Sequence, residues 1–254
     1  MSDTESVAKY IIRNTPNNYL EESLGYLKSL IGEQPLDTDT VKDEVRAYEE
    51  DHLDQLETEK GKVIMSSLIR DDDNYYHDQT KKIKYLYDPE THKITNIEET
   101  TEEDELQKCL NEELKKYLEK YFKEKITETN VYFDAANSKY IILISSHNFN
   151  KSSFWSGEWN SVWELEKDGK IKGKIYANTF YNESGSIHFS QKKEVCDTVA
   201  EAAAPDKAKA IVKIIETKEN DVQNDLDDIY ENFSETYIKP LRRALPGKLF
   251  ILFF

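Results

Sequence analysis

The chain is poor in the residues that punctuate structure. Its 254 residues include only eight glycines and six prolines, so each one marks a boundary. Two cysteines, Cys109 and Cys196, are too few for a disulfide framework and fit a reducing compartment. Basic side chains are also scarce. Lys and Arg number 34 against 50 Asp and Glu, a formal net charge of −16, which argues against a nucleic-acid binder whose affinity comes from neutralising phosphates. No run approaches the ~20 apolar residues that cross a bilayer, and the opening MSDTESVAKY has no apolar signal core. Together these absences point to the cytoplasm.

What is present is aromatic. Sixteen Tyr, ten Phe and three Trp supply apolar area in a chain that is 33% charged, enough to bury a core. Helical spacing predicts short helices over 4–14, 16–31 and 38–57, the second carrying Leu20, Leu24, Leu27 and Ile31 on one stripe. Three in a row suggest a small bundle. The period then changes to that of strands at 62–69, 82–88 and the segment DPETHKITNI, and returns to helix from Glu105 to Ile126. NVYFDAAN, KYIILISSHNF, WNSVWELEKDG, KIKGKIYANTFY and SIHFSQKKEV follow with short polar turns, which predicts a five-stranded antiparallel meander. Trp159, Val162 and Trp163 break strict alternation, so a bulge is expected near Asn160-Ser161. A long helix follows from Asp206, its expected N-cap, through Ile211, Ile215, Val222, Leu226, Ile229, Phe233 and Tyr237, with Pro240 kinking its end. The fold class is α+β: an N-terminal helical bundle (1–60), small strands with a connecting helix (61–128), then a central five-stranded antiparallel sheet crossed by a long C-terminal helix (129–254).

No catalytic constellation stands out. The histidines at 52, 77, 92, 147 and 188 are scattered, with no zinc spacing, no P-loop and no dinucleotide fingerprint. Ser145-Ser146-His147 has no nucleophile elbow around it and reads as strand packing. Asp71-Asp72-Asp73 lacks the loop spacing of a calcium site and reads as a solvated turn. The chain is read as a non-enzyme with no metal and no cofactor. FWSGEWNSVW either stacks planar ligands or fills a sheet core. Charge is the other signal. Glu235 is the last acidic residue, and YIKPLRRALP follows, with Lys239, Arg242, Arg243 and then Lys248. Such a patch either complements a helix dipole or binds an anionic partner that the rest of the surface repels.

Several of these segments resemble the α subunit of the F-actin capping protein family. SHNFNKSSFWSGEWNSVWELE, NTFYNESGSI and YIKPLRRALP carry the likeness over about 130–246, and VAKYIIRNTP resembles the family's opening helix. The resemblance implies an α/β heterodimer whose sheets join, bound at actin filament barbed ends and blocking subunit exchange. It places Lys239, Arg242 and Arg243 in the actin-binding basic cluster, which overlaps the region where acidic phosphoinositides act. It implies location in cytoplasm and cytoskeleton. The partner is a capping-protein β subunit or a second copy of this chain. After Pro246 the family continues through another basic residue into an amphipathic tentacle, whereas here Gly247-Lys248 leads into LFILFF. That departure implies a weak capper relying on its partner's tentacle, or a dimeric scaffold or regulatory subunit that has lost tight capping. LFILFF itself packs on its own subunit, docks into the partner, or reflects an altered gene end.

Overall fold

The structure, a computed structural model, describes residues 3–16, 19–32, 38–101, 104–122, 126–149, 155–182 and 186–233. Helices α1 (Asp3–Asn14), α2 (Leu20–Ile31) and α3 (Asp39–Asp51) bury one apolar stripe each. Ala8 and Ile12 of α1 meet Leu20 and Leu27 of α2 and Val41, Val45 and Tyr48 of α3. The Tyr48 hydroxyl donates to the Thr15 carbonyl at 2.6 Å, tying α3 to the end of α1. Next come a hairpin of β1 (Gln55–Thr58) and β2 (Gly61–Ile64), a 3-10 turn Ser67–Ile69, and a three-stranded sheet of β3 (Tyr76–Asp78), β4 (Ile83–Asp88) and β5 (Lys93–Glu99). Helix α4 (Glu105–Tyr121) opens on a capping box. The Asp104 carboxylate accepts from the Gln107 amide, and the Gln107 side chain accepts from the Asp104 amide.

The central sheet is a meander of β6 (Ile126–Asp134), β7 (Lys139–Asn148), β8 (Trp155–Leu165), β9 (Lys170–Asn182) and β10 (Ser186–Thr198), in spatial order β10-β9-β8-β7-β6 and antiparallel throughout. Helix α5 (Ala204–Phe233) runs for 30 residues, about 45 Å at 1.5 Å per residue. Alternation divides the sheet's side chains between two cores. Val131, Ile142, Ile144, Trp163, Leu165, Ile171 and Ile175 pack against Leu110 and Leu114 of α4 and Ala208, Ile211 and Ile215 of α5. Ile141 and Leu143 point the other way, onto Val63, Ile64, Met65 and Tyr85 of the small-strand region. Burial on both faces explains why Ile141–Ile144 is a continuous apolar run rather than an alternating one.

Several sequence expectations need correction. The helix expected over 38–57 ends at Asp51, because Leu53 adopts φ 51° and residues 55–58 form β1. The Ser145 hydroxyl donates to the Leu53 carbonyl at 2.9 Å, and the Asn160 side-chain Nδ2 to the His52 carbonyl at 2.6 Å, so distant strands fix this helix end. The strand expected at 62–69 stops at Ile64, and the Ser66 hydroxyl caps the turn after it. Helix α2 starts at Leu20 rather than 16, and α4 ends at Tyr121, with Ile126 already in β6. No bulge interrupts β8, whose pairing with β7 and β9 is continuous through Asn160 and Ser161. Trp159, Ser161, Trp163 and Leu165 share one face, and the pattern looked broken only because the inward residue at 161 is polar. Strand β8 also begins at Trp155, ahead of the expected start. Helix α5 begins at Ala204, which leaves Asp206 in the first turn while the Ala203 carbonyl accepts from the Lys207 amide at 2.9 Å. Strand β3 was not expected at all. The Pro240 kink lies outside the described residues.

Candidate binding surface at the end of the long helix

Among the described side chains, burial along the apolar stripe of helix α5 is complete over its first two thirds and partial after Val222. Ala208, Ile211, Ile215 and Val222 are fully buried, and Leu226 and Ile229 only half-buried. Asp225, Asp227, Asp228, Glu231 and Asn232 are exposed. A cavity of about 320 Å³ opens under this end of the helix, with Trp159, Thr179, Phe189, Leu226 and Ile229 among its walls. The last turn of α5 carries no basic residue, so within the described residues no Lys or Arg complements its dipole. Lys239, Arg242 and Arg243, the residues expected to bind actin, lie outside the described residues.

The middle of α5 is fixed by a buried carboxylate that sequence reasoning did not single out. Glu219 is 3% exposed. Its Oε2 accepts from the Tyr117 hydroxyl of α4 at 2.6 Å and the Trp159 indole Nε1 of β8 at 3.0 Å. Its Oε1 accepts from the Ser161 hydroxyl at 2.6 Å and the Trp163 Nε1 at 3.4 Å, that indole being shared with Ser161 Oγ at 3.1 Å. Among the described residues no Lys, Arg or His forms an ion pair with it. Burial pushes the carboxyl above its ordinary value, and the four donors offset part of that rise. One Glu among 50 acidic residues gives no sequence signal of this role.

The other sequence candidates resolve as structure. Trp159 and Trp163 belong to the core between sheet and α5 rather than to a stacking platform; of the side chain of Trp155 nothing is described. The Ser145 hydroxyl is spent on Leu53, Ser146 Oγ accepts from Thr127 Oγ1 at 2.9 Å, and the His147 ring stacks on Phe149 with centroids 5.0 Å apart. No carboxylate orients His147 among the described residues, and burial lowers its pKa. Asp71 accepts from the Tyr75 amide at 2.8 Å and pairs with His77 Nε2 at 2.9 Å, closing a local turn. Among the described residues no cluster of three metal-ligating side chains exists, and no helix is long and apolar enough to cross a membrane.

One sheet edge stands open. Strand β6 contacts β2 and β3, but β10 pairs only with β9 among the described residues. Thirteen residues of β10 therefore present an outer row of backbone donors and acceptors. On the face opposite α5, Lys172, Lys174, Lys192, Glu194 and Cys196 of β9 and β10 are exposed, because the small-strand region covers that face only under Tyr132, Ile141, Leu143 and Val162 of β6–β8.

A five-stranded antiparallel sheet with α4 and the long α5 packed on one face and the small-strand region on the other defines an α+β protein whose long helix is pinned by a buried carboxylate. Comparison gives the family: the profile described as F-actin capping protein alpha subunit matches residues 8–248, and the chain belongs to that family. It is 28% identical to the F-actin-capping protein subunit alpha of Candida glabrata over 96% of this chain and 90% of that one. It is 23% identical to the Arabidopsis thaliana subunit over 95% and 85%. Among solved structures, the homodimeric actin capping protein alpha subunit from Plasmodium berghei superposes with a TM-score of 0.75 at 20% identity, covering 97% of this chain and 98% of that one. That likeness is one of fold.

Proposed function

We propose that this chain is the α half of a dimer that binds the barbed ends of actin filaments and stops subunit addition and loss, acting by binding rather than catalysis. Family membership over residues 8–248 carries the reading. The charge pattern supports it: Lys239, Arg242 and Arg243 form a basic cluster in a chain of net charge −16 and are its contact with acidic actin surfaces. Acidic phosphoinositides compete for the same cluster, each basic side chain contributing ~1 kcal/mol at an anionic membrane surface. The capping-protein β subunit completes the sheet along β10 and covers the open face beside it. The protein is cytoskeletal.

The test is charge reversal. Arg242→Glu with Arg243→Glu abolishes barbed-end binding while the dimer keeps its mass. Loss of the dimer instead means that the arginines hold the assembly together. A second partner reading has one observation in its favour, the Plasmodium berghei structure described as homodimeric: two copies of this chain would pair along the same β10 edge.

A further inference from the structure

An apolar stripe presses α5 onto the sheet but does not fix where along the sheet it sits. Ala208, Ile211, Ile215 and Val222 are fully buried, but apolar burial is non-directional and favours contact rather than one orientation. Hydrogen bonds are directional. Glu219 takes four, two on each oxygen, from two elements that flank the helix: Tyr117 on α4, and Trp159, Ser161 and Trp163 on one face of β8. A carboxylate out of water is tolerated only when its lone pairs are met, and a wrong register leaves both it and its donors unmet. An apolar residue here would carry no such penalty and no such discrimination.

We propose that Glu219 is the positioning residue that sets the roll and axial register of α5 on the sheet, and with them the direction of its last described turns, which precede Lys239, Arg242 and Arg243 in the sequence. Downstream of Glu219 the anchors thin out to Val222, then the half-buried Leu226 and Ile229. Phe233 lies 14 residues on, so the lever is about 21 Å long, and a tilt of about 20° at Glu219 moves the helix end by roughly 7 Å. Glu219 is buried within the subunit and acts through the helix. What that direction serves rests on the proposed function, whereas the register itself does not.

The experiment uses the full chain in its dimer, with Cys109 and Cys196 replaced by serine and nitroxide labels on cysteines placed at Asp228 of α5 and Lys167 of the β8–β9 turn, both exposed and off the open sheet face. Electron–electron distance measurement gives one narrow distribution for the parent. Glu219→Leu removes the acceptor, and Glu219→Gln keeps its size but turns one oxygen into a donor facing an indole N–H that cannot accept. Both shift or broaden the distribution by about 4–5 Å at Asp228, nine residues on from Glu219, and both speed dissociation from barbed ends at least tenfold. Ile215→Ala, which removes apolar packing from the same helix, lowers the melting temperature by as much yet leaves the distribution in place. An unchanged distribution in both Glu219 variants, or an equal shift in Ile215→Ala, overturns the proposal. A parent dimer that fails to stop barbed-end growth contradicts the proposed function and leaves the distance result standing.

Discussion

The indole of Trp163 on β8 lies against Gly173, its cross-strand partner on β9: a Cβ added at 173 would meet ring carbons Cζ3 and Cε3 at 2.4 and 2.5 Å. The ring occupies the place of a side chain, filling the core above β9 while its Nε1 reaches toward Glu219. Gly173→Ala is therefore expected to destabilise by about 1–3 kcal/mol, the cost of overpacking a filled core. Gly25 in α2 has nothing within 4 Å of an added Cβ, so Gly25→Ala is expected to stabilise by about 0.5–1 kcal/mol through helix propensity. Urea titrations of the two variants should move their midpoints in opposite directions. Equal movement contradicts the packing account.

Acid sensitivity is expected from the helical bundle. Glu44 is buried on α3 and takes both Nε and Nη2 of Arg13, the latter at 2.8 Å, with Lys9 Nζ 3.6 Å away. The hydrogen bonds from Arg13 hold its pKa below the ordinary glutamate value against the opposing effect of burial. A carboxyl depressed on folding adds stability above its unfolded value, and that stability is lost as pH falls through the folded one. Arg13→Gln should lower stability at pH 7 and flatten the acid limb below about pH 4.3. Denaturation series from pH 7 to 3 on the two proteins check this, and an unaltered acid limb counts against it.

Two histidines should titrate on opposite sides of the ordinary value. His92 Nδ1 lies 2.8 Å from Glu49 Oε1 and 3.2 Å from the Tyr87 hydroxyl, and the hydrogen bond to Glu49 raises its pKa. His147 is lowered by burial and by Lys62. The His92 contribution to stability is complete below about pH 6.5 and is lost as pH rises through the higher folded value. His92→Gln removes that loss. An NMR titration in which His147 protonates above His92 contradicts the structure at both sites.

The open β10 edge carries its own expectation. Mixed with a capping-protein β subunit, the chain should form a one-to-one dimer. Alone, it should self-associate or aggregate, because an unpaired strand of this length seeks a partner. Sedimentation at micromolar concentration decides, and a stable monomer without a partner contradicts the role given to the edge.

Much of this architecture was legible in the sequence because its signals are local. Short polar turns at Asn137-Ser138 and Asp168-Gly169 announced the meander, and the seven-turn stripe from Ile211 announced α5. The misses arose where distant residues decide. The end of α3 depends on Ser145 and Asn160, about a hundred residues on. The supposed bulge arose from Ser161, a polar residue facing inward because its acceptor, Glu219, sits 58 positions away. The basic cluster was readable as a charge inversion and a motif, whereas nothing local distinguishes Glu219 from the surface glutamates around it.

Barbed-end capping by this chain and its β subunit can be watched on single filaments. Filaments growing from labelled seeds are watched as the chain, assembled with its β subunit, is added at increasing concentration. Barbed ends are expected to stop growing while pointed ends continue, and the Arg242→Glu, Arg243→Glu dimer is expected to have no effect. Barbed ends that elongate at an unaltered rate at saturating dimer would contradict capping.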